Sequence, residues 1–140
     1  MPKLMANGIE LAYERFGSPD QPVLLMVHGL GMSLCAWPEA LIEALVSAGF
    51  QVVTFDNRDI GHSQKLAERG VPKVGRQLLK AKLRLPVRSP YQLADMMRDA
   101  EGLLAALNIE SAHVVGVSMG GMISQLLAIH CPERVKSLTS

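Results

Sequence analysis

Hydrophobic and polar positions follow two rhythms along this chain, one typical of strands and one typical of helices. Residues 9–16 roughly alternate between apolar and polar side chains, which predicts an edge strand or a half-buried strand. Val23–Val27 is a continuous β-prone run with no polar face, which is typical of a strand covered on both sides. Residues 51–55 and 112–117 predict two further buried strands, and residues 135–139 begin another.

Helical spacing appears between these strands. A helix is predicted over residues 39–48, introduced by Pro38 and closed by Gly49, and another over residues 119–129. Ser89-Pro90 begins a strongly amphipathic segment, whose apolar positions are Leu93, Met96, Met97, Ala100, Leu103, Leu104 and Leu107. Because buried strands alternate with helices, the sequence predicts an α/β fold: a mostly parallel sheet with helices on both faces.

Composition narrows the class of protein. A chain of 140 residues is sized for one domain, and 49% hydrophobic residues exclude a disordered protein. A net charge of +1 gives no indication of nucleic-acid binding. The N-terminus lacks a signal-peptide core, no apolar run could span a bilayer, and Cys35 and Cys131 resemble ordinary thiols. We therefore expect a soluble, cytoplasmic protein.

Residues 64–89 form a basic segment, with eight basic residues against one acidic residue, and we interpret it as a helical insertion in the domain. A helix over residues 73–85 would align Lys73, Arg76, Lys80 and Arg84 in one stripe. We favour a solvated helix that packs on its own domain or caps a pocket. An anionic membrane surface is the alternative, but the stripe is short and has no aromatic anchor.

The strongest chemical signal is the sequence Gly116-Val117-Ser118-Met119-Gly120-Gly121, which lies between a predicted strand and a predicted helix. An abrupt strand-to-helix turn needs small residues two positions before and after its serine, as Gly116 and Gly120 are. It exposes the hydroxyl at the sheet edge, in front of a helix N-terminus. The motif predicts Ser118 as a nucleophile.

A second loop, His28-Gly29-Leu30-Gly31, follows the buried strand 23–27. We expect it to lie beside Ser118, so that the backbone N–H groups of Leu30 and Met119 form an oxyanion hole. A plain glycine-rich turn is the alternative. His28 itself is interpreted as a structural hydrogen-bonding residue, with a role as surrogate base held as the minor alternative.

The segments VHGLG, FDNRDIGHS and GVSMGG together resemble the α/β-hydrolase fold family, and the finer pattern resembles its small carboxylesterase branch, typified by aclacinomycin methylesterase. The resemblance implies Ser118 as nucleophile, with Leu30 and Met119 as oxyanion donors. It also implies a structural role for the segment around Asp56 and Arg58. A serine at the turn argues against the dehalogenase and epoxide hydrolase branches, which carry aspartate there.

A serine nucleophile needs a histidine base and an acid, which follow the serine along the chain in this family. After Ser118 the sequence offers only Glu133, interpreted as a surface residue, and His130, which is about 18 Å along the helix and too distant. We therefore expect residues 1–140 to be the N-terminal part of a single hydrolase domain. An exposed sheet edge would then pair with a complementing C-terminal half or a second copy.

The sequence therefore predicts a serine hydrolase of small-molecule carboxylic esters that needs no cofactor. It contains no predicted metal site, since its four histidines are dispersed. Thioester, lactone or carbon–carbon hydrolysis on the same scaffold remain open as related chemistry. A non-catalytic half-fold that serves as an interaction module is the alternative from a different class.

Overall fold

The structure is a computed structural model that describes residues 1–66, 82–83 and 90–140. The predicted basic helix over residues 73–85 and its four-residue stripe fall almost wholly outside these residues. The described strands are β1 (Lys3–Ala6), β2 (Ile9–Phe16), β3 (Val23–Val27), β4 (Gln51–Phe55), β5 (Ala112–Gly116) and β6 (Val135–Thr139). The helices are α1 (Glu39–Ser47), α2 (Leu93–Ala106) and α3 (Met119–His130), with short 3-10 turns at Leu34–Ala36 and Pro132–Arg134.

The six described strands form one sheet in the order β1-β2-β4-β3-β5-β6. β4, β3, β5 and β6 run parallel to one another, whereas β1 and β2 pair antiparallel at one side. Because β3, β4 and β5 run in the same direction, their carboxyl ends lie at the same edge of the sheet. Loops from all three strands come together there.

Helices cover both faces of the sheet, as the strand periodicity predicts. Alternate residues of β3 point to opposite sides: Leu25 belongs to one apolar cluster and Leu24 to the other. The larger cluster includes α2 and α3, and the smaller one includes Ile42 of α1. The fold class predicted from sequence is therefore correct. No helix in the described part of the chain is long and apolar enough to cross a membrane.

Three details differ from the sequence-based expectation. β1 was not expected, and it occupies the position outside β2. β2 is therefore not an edge strand, and its partly buried pattern agrees with the other expectation, a half-buried strand. Helix α2 begins at Leu93 rather than at Pro90, because Gln92 and Asp95 form a capping box at its N-terminus. Strand β5 ends at Gly116, which leaves Val117 in the turn.

Candidate active site

The junction between β5 and α3 is a sharp turn centred on Ser118. Ser118 has φ 56° and ψ −122°, a strained conformation for a residue with a side chain, and it is exposed to solvent. The turn brings Gly120 so close to β3 that an added Cβ would overlap the Val27 carbonyl oxygen, and one at Gly116 would overlap the Gly120 carbonyl oxygen. Only glycine fits at these two positions.

The loop after β3 lies directly against this turn. A Cβ at Gly29 would stand 3.2 Å from Ser118 Cβ and 3.7 Å from Ser118 Oγ. Leu30, the next residue, is 77% exposed, in a turn closed by the Met32 N–H and the Gly29 carbonyl oxygen. Met119 is the first residue of α3, so its N–H has no acceptor within the helix. The loop after β3 and the N-terminus of α3 therefore both adjoin Ser118.

Asp56 ties the loop after β3 to the loop after β4. Its buried carboxylate accepts hydrogen bonds from the Leu34 N–H and the His62 N–H, both at 2.7 Å. Its carbonyl oxygen accepts a bond from Ser63 Oγ at 2.6 Å. Since both carboxylate oxygens are engaged by backbone groups, Asp56 supports the two loops beneath Ser118 and is not placed as a catalytic acid.

His28, the first residue of the loop after β3, is buried. Its ring lies 4.3 Å from that of Trp37, centroid to centroid. Burial lowers the pKa of its imidazole below the usual 6.5, against the opposing effects of a hydrogen bond to the Leu34 backbone and the nearby Asp56 charge. A buried, neutral ring that packs on Trp37 fits the structural interpretation of His28 better than the surrogate-base alternative.

Arg58 and Asp99 form a buried ion pair that joins the loop after β4 to α2. The guanidinium donates from Nε and Nη2 to the two carboxylate oxygens, each at 2.6 Å, and Arg58 also lies over the Tyr91 ring. Burial by itself would lower the pKa of Arg58. The hydrogen bond to Asp99 and the negative charge of Asp99 outweigh that effect, so the pKa is raised. Burial and a hydrogen bond to Asp59 raise the pKa of Tyr91 to about 12. This pair fixes the loop rather than facing Ser118.

The other polar candidates lie elsewhere. His130 is at the far end of α3, and His113 hydrogen-bonds Ser137 Oγ at 2.7 Å, near the start of β5. Glu133 is exposed in a 3-10 turn beyond α3. No hydrogen bond joins a histidine to Ser118 within the described residues. Nor do three metal-ligating side chains converge anywhere in that part of the chain.

Two supporting residues were not predicted from the sequence. Asn57 donates from Nδ2 to the His28 carbonyl oxygen at 3.2 Å, and Asp99 pairs with Arg58 across 41 positions. Asn57 bonds a backbone group, so no residue type in the sequence marks its partner. Asp99 stands among the apolar positions of α2 as a buried acid, which is the one signal that could have singled it out.

Comparison with known proteins supports the same fold. A family model described as alpha/beta hydrolase fold matches residues 22–140. The chain is 33% identical to the rhodomycin D methylesterase of Streptomyces peucetius over 141 aligned positions, which cover 99% of this chain and 41% of that protein. It is 32% identical to a 3-oxoadipate enol-lactonase of Acinetobacter baylyi, covering 94% of this chain and 40% of that protein.

A solved structure shows the same likeness in three dimensions. The enol-lactonase of Burkholderia xenovorans superposes with a TM-score of 0.77 at 27% identity, covering 98% of this chain and 45% of that one. The chain thus spans about two fifths of the length of the relatives it matches. The family and the methylesterase branch expected from the sequence motifs are both represented among these relatives.

Proposed function

This chain belongs to the α/β-hydrolase fold family, and on that premise we propose that it carries the nucleophile and oxyanion hole of a serine hydrolase for small-molecule carboxylic esters. The observation that carries the proposal is Ser118, a strained and exposed serine with Gly29 packed against it. Backbone strain of this kind persists only where the surrounding structure maintains it, and such residues cluster at active sites. A methylesterase among the relatives points to the same substrate class.

In this mechanism Ser118 Oγ attacks the ester carbonyl carbon and gives its proton to a histidine base. The carbonyl oxygen becomes an oxyanion, which receives hydrogen bonds from the Leu30 and Met119 N–H groups and faces the positive end of α3. The alcohol leaves with the proton that the histidine returns. Water then cleaves the acyl-enzyme, so the reaction requires no cofactor.

We place the histidine base and its acid outside residues 1–140. This placement is supported by the described histidines, since His28 is buried and His113 and His130 lie away from the turn. His62 lies in the loop after β4, where its backbone N–H bonds Asp56, and it makes no hydrogen bond to Ser118. It is also supported by the greater length of the relatives. The described part supplies the nucleophile and the oxyanion donors, which lie at the carboxyl ends of β5 and β3.

Cyclic esters are the second candidate substrates, because two of the similar proteins are named enol-lactonases. Ring opening of a lactone uses the same attack on a carbonyl carbon, but the leaving hydroxyl stays attached to the acyl group. An assay that offers the full-length protein a methyl ester and an enol lactone separates the two classes by their kcat/KM ratio.

The proposal is tested by labelling the full-length protein with a fluorophosphonate probe and measuring its intact mass. We expect one adduct on the wild-type protein and none on Ser118→Ala. Ser137→Ala is the matched control, because Ser137 hydrogen-bonds His113 but lies in a regular strand, and it should label normally. Labelling that survives Ser118→Ala would show that another residue is the reactive nucleophile. An unlabelled and esterase-inactive wild-type protein would instead favour the non-catalytic interaction module.

A further inference from the structure

The peptide that joins His28 to Gly29 is held from two sides by groups outside its own loop. Asn57 Nδ2 donates to the His28 carbonyl oxygen at 3.2 Å, and both residues are at most 2% exposed. On the other side the same oxygen lies against α3, where a Cβ at Gly120 would come within 2.6 Å of it. The carbonyl therefore has one fixed direction.

We propose that Asn57 is a positioning residue for the oxyanion hole, which it sets by holding the His28 carbonyl and thereby the direction of the Leu30 N–H. This inference rests on the proposed function. The Leu30 N–H belongs to the peptide that follows Gly29, one Cα beyond the peptide that Asn57 holds. The two peptides share the Gly29 Cα, which lies against the Ser118 side chain and the Val117 carbonyl oxygen, so a displacement of the first peptide also displaces the second.

The rest of the loop is fixed only at a distance from Leu30. Asp56 and the His28 ring hold the Leu34 backbone, four residues further along the chain. The segment between His28 and Leu34 contains the turn from Gly29 to Met32, whose closing hydrogen bond is long at 3.4 Å. It also contains Gly31, which has a φ of +75°. The Asn57 bond is thus the nearest side-chain restraint on the donor peptide among the described residues.

The chemistry of Asn57 also favours a role beyond filling space. Its side chain is buried, yet its Oδ1 atom has no hydrogen-bond partner within the described residues. An apolar residue of the same size would avoid that burial of a half-paired amide. The one bond that the amide does make is directed at the peptide beside Ser118.

The test compares two apolar replacements of similar size at opposite ends of β4. Asn57→Leu removes the donor to His28, whereas Gln51→Met removes a buried amide that bonds Arg15, at the end of β4 remote from Ser118. In the full-length protein, Asn57→Leu should lower kcat 10-fold to 100-fold with KM changed less than 2-fold, since loss of one oxyanion donor costs about 100-fold to 1000-fold. Gln51→Met should leave kcat unchanged.

Active sites are counted by fluorophosphonate titration, so that kcat refers to folded protein only. The positioning role is overturned if Asn57→Leu keeps wild-type kcat, or if it loses kcat no more than Gln51→Met does. It is also overturned if Asn57→Leu and the smaller Asn57→Ala both unfold before assay, because Asn57 would then be an ordinary stability residue. A wild-type protein that does not react with the probe refutes the proposed function instead.

Discussion

The buried pair between Arg58 and Asp99 allows a quantitative test of how the loop after β4 is held. The side chains are 6% and 1% exposed, and the carboxylate accepts two bonds from Arg58 and one from Asn7 at 2.8 Å. Replacing Asp99 with alanine leaves the guanidinium charge buried without its partner. Breaking such a pair costs about 3–5 kcal/mol, a large share of the 5–15 kcal/mol that stabilises an ordinary domain.

The magnitude follows from burial, and α2 itself offers the control. Arg98 and Asp95 form an ion pair at 3.2 Å on the same helix, but their side chains are 60% and 36% exposed. Water screens that pair, so Arg98→Ala should cost less than about 0.5 kcal/mol. The contrast between Asp99→Ala and Arg98→Ala isolates the effect of burial from that of charge.

Urea unfolding followed by circular dichroism gives the free energy of unfolding for each variant. We expect Asp99→Ala to lose about 3–5 kcal/mol, and the double replacement Arg58→Met with Asp99→Leu to recover most of that loss. If Asp99→Ala stays within 1 kcal/mol of wild type, the pair does not hold the loop as argued. A double variant that is no more stable than Asp99→Ala would show that the loss does not come from leaving the Arg58 charge unpaired.

Two further predictions concern the packing beneath Ser118. Gly120→Ala should lower the free energy of unfolding by about 1–3 kcal/mol, because the added Cβ meets the Val27 carbonyl oxygen. Gly121→Ala is the control and should change the free energy of unfolding by less than about 1 kcal/mol. Equal losses for the two variants in urea unfolding would contradict this prediction. Because the pKa of His28 is lowered on folding, its contribution to stability is complete above pH 6.5 and declines as pH falls below 6.5. His28→Gln should therefore flatten the dependence of stability on pH between 7.5 and 5, and an unchanged slope would show that His28 is not the group responsible.

Local sequence determined the parts of this protein whose physics is local. The continuous, β-prone apolar run of Val23–Val27 indicated a covered strand, and the alternation of such runs with helical spacing implied a parallel sheet. The glycines around Ser118 marked a strand-to-helix turn, because only small residues fit where two backbones approach so closely. The family and the candidate nucleophile followed from these short segments.

Tertiary structure decided which distant groups meet. The alternation in β2 indicated which of its side chains are buried but not which strands lie on either side. β1 was therefore missed, and β2 could be predicted only as an edge strand or a half-buried strand. Asn57 reaches His28 across 29 positions and Arg58 reaches Asp99 across 41. Such pairs leave no periodic trace in a sequence, because a hydrogen bond between a loop and another loop or a helix depends on how the elements are arranged around the sheet. Most of the elements and the nucleophile candidate were therefore local properties, whereas β1 and the supports that hold the site in shape were not.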